Sequence, residues 1–266
     1  MLPGMIPEAH RQALDRQGFV QLPGVLSLGL CARLLDRLEQ LYAAEGDQAG
    51  GEFRQEPGAR RLANLVDKDL PGAPLFAGCI DHPALMPYVA AVIGDRFKLS
   101  SLNARSASPE NGAVQPLHAD GGAVPDARGF WVCNLLLMLD DFTAENGALR
   151  VVPGTHRSGR LPAEALPDPL ASHPAQVMIT GQVGDVLVLN SHCWHGGLAN
   201  HSHRHRRALH VYYTRWDKPQ QQYQKRLLSP ATQARLTASQ RAMCALDDPE
   251  NDRLSEAETG RSGFLK

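Results

Sequence analysis

The sequence predicts a mainly β protein with flanking helices, and three observations predict it. From residue 97 the chain breaks into short apolar runs: FKLSSLNARSAS, AVQPLHAD, FWVCNLLLML, ALRVVPGTH, QVMITGQVGDVLVLN and ALHVYYTRW. Turn-forming stretches punctuate them (PENG, DGGAVPDARG, DDFTAENG and TGQVGD), where Gly, Pro, Asn and Asp supply the conformations of tight connections. The strands do not alternate with long helical periods, so an antiparallel sandwich or barrel is expected rather than a parallel βα sheet. A chain of 266 residues, 43% of them hydrophobic, suffices for one such core with added helices. Residues 1–266 therefore read as one domain.

Each part can be justified in order. The N-terminal helical part covers about residues 1–95. In it GFVQLPGVLS reads as a short strand and turn, and Leu30, Leu34, Leu35, Leu38 and Leu41 then share one face of a helix. Residues 46–75 are rich in Gly and charge, which predicts a loop or lid. Residues 76–95 predict a helical stretch, in which HPALMPYVAAVIG ends at its glycine. The β core occupies about 97–216. Beyond Trp216 the chain turns polar and helix-prone, a C-terminal helical segment of about 217–266 with a tail expected to fray.

Composition narrows the function classes. A formal net charge of -1 offers no field for nucleic acid or an anionic membrane. No apolar run reaches the about 18–20 residues of a membrane span. The first residues turn charged too early for a signal peptide. Five scattered cysteines without a CxxC pair fit a reducing compartment and argue against Cys-ligated zinc. The expectation is a cytoplasmic protein acting on a small molecule, as monomer or homodimer.

Two segments carry chemistry. In Gln115-Pro-Leu-His118-Ala-Asp120 an extended chain puts His118 and Asp120 on the same side, half of a metal site. The end of the strand VLVLN delivers His192 and His195 before a Gly-Gly pair. Two histidines and a carboxylate on strands form the facial triad of non-haem Fe(II) oxygenases, which leaves coordination positions open for O2 and substrate. The usual electron-donating co-substrate, 2-oxoglutarate, is a dianion that calls for an arginine clamp. Arg204, Arg206 and Arg207 follow at the entry of the next strand.

The segments QPLHAD, LMLDDFTAENGALRVVPGTHR and GDVLVLN…HGG…N…RRALH together resemble the phytanoyl-CoA dioxygenase family of Fe(II)/2-oxoglutarate oxygenases, across about residues 16–216. The resemblance implies a double-stranded β-helix (jelly-roll, cupin-like) core and a dioxygenase that hydroxylates an unactivated C–H of a small organic molecule or secondary metabolite, releasing succinate and CO2. It assigns Fe(II) to His118, Asp120 and His195. Arg206 matches the arginine that holds the far carboxylate of 2-oxoglutarate, with Arg207 as the register alternative. Gln115 matches a position that helps hold 2-oxoglutarate. Where several relatives carry a Trp near the co-substrate, this chain has Leu136, so Trp131 or Asn134 is expected to compensate. A carboxylate at residue 120 favours oxygenation over halogenation.

Strand parity supports Arg206. The even positions Arg206, Ala208, His210, Tyr212 and Thr214 form a polar face suited to a pocket, and Leu209, Val211 and Tyr213 an apolar face for helices. His210 and Tyr212, with Asn103 and Arg105 on the strand before the HxD, are the candidate substrate contacts. Arg105 suits an anion. His156 reads as structural, Asp185 as fixing a turn, His192 as lying on the opposite face from His195, and His201, His203 and His205 as solvated. The rival reading is a non-redox metal-binding jelly roll, a metal hydrolase, isomerase or binding protein. It would have no use for Arg206 or Gln115.

Overall fold

The computed structural model describes residues 6–51, 58–70, 72 and 74–257. Helix α1 (Glu8–Arg16) and strand β1 (Phe19–Leu22) lead into α2 (Leu28–Glu45). Ser27 caps α2, its side chain accepting from the Leu30 N–H at 3.2 Å. Then come β2 (Ala59–Leu62), α3 (Met86–Ile93), β3 (Phe97–Ala107), β4 (Val132–Met138), β5 (Leu149–Val151) and α4 (Pro162–Ala165). Strands β6 (Val177–Ile179), β7 (Val186–Asn190), β8 (His195–Gly197) and β9 (Arg206–Arg215) complete the β core. Short helices α5 (Gln224–Leu227), α6 (Pro230–Arg235), α7 (Ala238–Met243) and α8 (Pro249–Ala257) close the described chain. The expected frayed tail lies outside the described residues.

Among the described residues the strands form two antiparallel sheets, a large one ordered β1-β7-β4-β9-β3-β2 and a small one ordered β6-β5-β8. An isolated bridge from His118 to His195 adds the HxD segment to the small sheet. The sheets face one another across Leu136, Met138, Leu149, Val151, Leu187 and Leu189, the filling of a double-stranded β-helix. On the outer face of the large sheet, Leu34 and Leu38 of α2 and Val89 and Ile93 of α3 pack with Leu135, Leu137 and Val211. Neighbours in the run VCNLLLM thus belong to opposite layers. That is why the strand reads as continuously apolar rather than alternating.

Two expectations are corrected in detail. The segment 46–75 is not all loop, because β2 pairs with β3 at the edge of the large sheet. Its sequence, ARRL, has neither alternation nor β-branched residues to reveal it. The helical stretch expected over 76–95 is broken into two pieces, a 3-10 turn at Ala77–Cys79 and a helix that begins only at Met86.

Candidate active site

The two glycines after His195 shape the site. A Cβ on Gly196 would lie 2.9 Å from the Gln115 carbonyl and 3.1 Å from that of Pro116, so only glycine lets β8 approach the HxD segment this closely. Reciprocal backbone hydrogen bonds between His118 and His195, 2.9 and 3.0 Å, then clamp the two ligand-bearing segments together. A Cβ on Gly197 would meet Gln115 Oε1 at 2.9 Å and Arg105 Nη1 at 3.1 Å. The second glycine makes room for side chains.

His118, Asp120 and His195 each offer one ligand atom, and these atoms lie within 4.8 Å of one another. Asp120 Oδ1 is 3.8 Å from His118 Nε2 and 3.5 Å from His195 Nε2. The far ring nitrogens are occupied: His118 Nδ1 donates to the Pro116 carbonyl at 2.9 Å and His195 Nδ1 to that of Cys193 at 2.8 Å. Both Nε2 lone pairs are thereby directed at the shared centre, with the outer hydrogen bonds that metal-ligating histidines use. Burial pushes the Asp120 carboxyl up, but His195 and His118 outweigh it and hold the group well below the usual carboxylate range. Burial pulls His195 down, and Asp120 more than reverses that. Two imidazole nitrogens and an ionised carboxylate on one side of a cavity fit a divalent metal with open coordination positions.

Asn134 donates from Nδ2 to Asp120 Oδ2 at 3.2 Å, which holds the carboxylate of the candidate metal site in place. It also lines the pocket beside Leu136, whereas Trp131 does not: its indole N–H donates to the Val124 carbonyl at 2.8 Å. Gln115 lines the pocket and accepts from the Gly197 N–H at 2.8 Å.

Arg206 and Arg207 point opposite ways. Arg206 lines the pocket, 2% exposed, its guanidinium 4.3 Å over the Phe142 ring and donating to the Gly147 carbonyl at 2.8 Å. Arg207 turns outward, paired with both oxygens of Asp140 at 2.7 and 2.8 Å and with Glu39 at 2.9 Å. The alternation runs on along β9: His210 and Tyr212 line the pocket, and Leu209, Val211 and Tyr213 join the core under the helices. Asn103 and Arg105 of β3 face the same pocket. Burial, with Arg61 and Arg105 nearby, pushes His210 down to about 3, so it stays neutral.

The remaining histidines separate from the site. His192 is buried against Phe130 and Trp131, ring centroids 5.2 and 5.6 Å away, and bonded through Nδ1 to Asn190 Oδ1 at 2.8 Å. His156 is buried with Nε2 donating to the Asp15 carbonyl at 3.0 Å. His201 and His203 are exposed; His205, expected in solvent, is half-buried with Nδ1 3.0 Å from Ser106 Oγ. Asp185 fixes its turn by accepting from the N–H groups of Gln182 at 3.0 Å and Gly24 at 2.9 Å. Sequence reasoning missed Arg61, Ser101 and Gln221, which also line the pocket. Arg61 could have been found only from its pairing opposite Arg105, which no local pattern reveals.

Fold and site together define a jelly-roll protein with an interior His/Asp/His centre and a buried arginine on the same cavity. Residues 14–208 match the phytanoyl-CoA dioxygenase (PhyH) family, and the chain belongs to it. Among curated relatives, dioxygenase af480 of Aspergillus fumigatus is 27% identical over 214 residues, 78% of this chain and 65% of the relative. L-proline trans-4-hydroxylase of Streptomyces griseoviridis is 27% identical over 166 residues, 59% of this chain and 58% of that protein. The chain thus spans about two thirds or less of the length of these relatives. Solved structures share the fold. HygX from Streptomyces hygroscopicus, with nickel and 2-oxoglutarate bound, has a TM-score of 0.62 at 19% identity, covering 81% of this chain and 90% of that one. EctD from S. alaskensis, with 2-oxoglutarate and 5-hydroxyectoine, has a TM-score of 0.64 at 22% identity over 79% and 76% of the two chains.

Proposed function

We propose that this protein is a non-haem Fe(II)/2-oxoglutarate-dependent dioxygenase, one oxygenase domain that hydroxylates a C–H bond of a small molecule. The observation that carries the reading is the inward-facing His118/Asp120/His195 donor set on the cavity that also holds the buried Arg206 guanidinium. A metal hydrolase needs the first and has no use for the second. When bound, iron and 2-oxoglutarate supply O2 activation: one oxygen atom ends in succinate, formed with CO2, and the other in the hydroxylated product.

The chain's own residues do the rest. His118, Asp120 and His195 hold the metal, and Asn134 fixes the orientation of Asp120 through its oxygen. Arg206 pairs with the far carboxylate of 2-oxoglutarate, in surroundings where Phe142 and Gly147 already hold its plane. Gln115 closes the side next to β8. Leu136, Leu149 and Leu189 wall the cavity with apolar surface, which limits water near the reacting centre. His210 and Tyr212 orient the substrate.

The test is an anaerobic titration of the metal-free protein with Fe(II) and then 2-oxoglutarate, read by the weak visible charge-transfer band of the chelate. The band is expected, and His118→Ala or His195→Ala should abolish it while His201→Ala and His203→Ala keep it. No band, together with no succinate formed in air, refutes the assignment.

A further inference from the structure

The substrate class of this pocket can be read from two side chains on neighbouring strands of its wall. Asn103 of β3 and His210 of β9 are direct partners in the antiparallel register, and both line the cavity. Asn103 is 6% exposed. Its Nδ2 donates to Ser101 Oγ at 3.1 Å, and Ser101 Oγ donates in turn to Gln221 Oε1 at 2.6 Å. That relay fixes which end of the amide is the oxygen, and this Oδ1 is buried without a hydrogen-bond partner.

His210 is arranged in the opposite sense. Asn134 Nδ2 lies 3.5 Å from His210 Nδ1, and an amide nitrogen can only donate, so Nδ1 holds the lone pair. Burial first, then Arg61 and Arg105, push the ring's pKa down to about 3, so it is neutral and its one proton sits on Nε2. Nε2 is likewise buried without a partner. The wall thus presents an unused acceptor beside an unused donor, on residues whose Cβ atoms stand about 5 Å apart. Buried polar groups are nearly always paired in a native protein, so two orphans on one cavity point to a ligand group that pairs with both. Asn134 Oδ1 is a third buried atom without a partner, but its amide is bonded to Asp120 and belongs to the metal's surroundings. The charge of the ligand group follows from the pair. An anion would be welcomed by the Nε2–H and repelled by Oδ1, and an ammonium the reverse; only a neutral group that both donates and accepts uses the two together. Arg61 and Arg105, on the same cavity, already have partners and add no demand for an anion.

We propose that Asn103 Oδ1 and His210 Nε2 form a substrate subsite for a neutral hydroxyl or carboxamide, borne on an apolar skeleton that packs on Leu136, Leu149 and Leu189. The O–H or N–H of that group donates to Asn103 Oδ1, and its oxygen accepts from the His210 Nε2–H. The inference rests on the oxygenase reading and names the substrate class of that same cavity.

The test uses protein loaded with Ni(II) and 2-oxoglutarate, which does not turn over, and isothermal titration with probes built on one carbon ring. Cyclohexanol and cyclohexanecarboxamide both donate and accept, and together they separate hydroxyl from amide preference. Methoxycyclohexane only accepts, and cyclohexylammonium and cyclohexanecarboxylate carry the two charges. The better of the first pair should bind roughly tenfold or more tightly than each of the other three. Asn103→Leu and His210→Leu should each reduce that preference to about twofold or less and leave 2-oxoglutarate affinity unchanged. The two variants lie on different strands, so either one carries the measurement should the other fail to fold. His210→Gln, which keeps an N–H donor, should retain most of the preference. No preference for the donor–acceptor probes, absence of binding included, overturns the subsite. So does a fall in 2-oxoglutarate affinity in either leucine variant, which would assign the pair to the co-substrate. Failure of Ni(II) and 2-oxoglutarate to bind in the first step overturns the oxygenase reading instead.

Discussion

The neighbouring arginines at the start of β9 allow a sharp test, because they have the same chemistry and opposite surroundings. Arg206 sits 2% exposed over Phe142, in a wall of apolar side chains. A charged hydrogen-bonded pair formed there with a carboxylate is largely desolvated, and truncating one partner of such a pair costs about 2–5 kcal/mol. Arg206→Ala should therefore weaken 2-oxoglutarate by roughly 30-fold or more. Arg206→Lys keeps the charge but loses the planar fork, so it should fall between wild type and Ala. The Arg207 side chain is 21% exposed and bound to Asp140 and Glu39. Its removal should leave 2-oxoglutarate affinity within about twofold, and cost about 1 kcal/mol of stability, lowering Tm by roughly 2–4 °C. The assay is calorimetric titration of 2-oxoglutarate into the Ni(II)-loaded variants, with Ni(II) binding measured first to show that the triad is intact. If Arg207→Ala loses as much affinity as Arg206→Ala, the clamp assignment and the strand parity beneath it are both wrong.

Gly196→Ala, which drives a Cβ into two backbone carbonyls, should lower metal affinity about 10- to 100-fold by parting β8 from the HxD segment. Gly112→Ala, with nothing within 4 Å of the added carbon, should change nothing, and equal losses would remove the steric argument. Asn134→Leu deprives Asp120 Oδ2 of its donor and should cost a similar factor in metal affinity while the fold persists. A pH prediction concerns Lys98, 2% exposed, with Nζ donating to the Trp216 carbonyl at 2.9 Å and its pKa pulled by burial from 10.5 down to about 8. Below pH 8 both states hold the proton and the burial cost is fully present; between pH 8 and 10.5 only the unfolded chain holds it, so stability rises with pH. The gain is about 3 kcal/mol at most. It should be visible in denaturant melts as wild type gaining on Lys98→Met across that window, and parallel curves would contradict it.

What was legible in the sequence, and what was not, divides along one physical line. Alternation along a single strand is a local property, so β9 told which side Arg206, His210 and Tyr212 would take before any partner strand was known. The HxD spacing and the paired glycines are local as well, and the glycines report a close backbone approach that no other residue permits. His192 is separated from His195 for a reason other than the strand parity that suggested it: β7 ends at Asn190, residues 191–192 form a turn, and only residue 195 opens β8. Arg61 is different. Its strand is short, charged and at a sheet edge, where a single neighbour decides its register and apolar burial leaves no pattern. Gln221 is similar, reaching the pocket through a hydrogen bond from Ser101 Oγ at 2.6 Å that connects the C-terminal segment to β3. The metal centre is thus encoded by local constraints that one chemistry imposes on any sequence using it. Arg61 and Gln221, by contrast, reach the pocket through pairings between distant segments. Specificity in this protein should therefore move with β2, β3 and the residues after β9 while the triad stays fixed. Exchanging Arg61, Ser101, Asn103, Arg105 and Gln221 as a set for the residues of another jelly-roll oxygenase is expected to change which probe binds without changing Ni(II) or 2-oxoglutarate affinity.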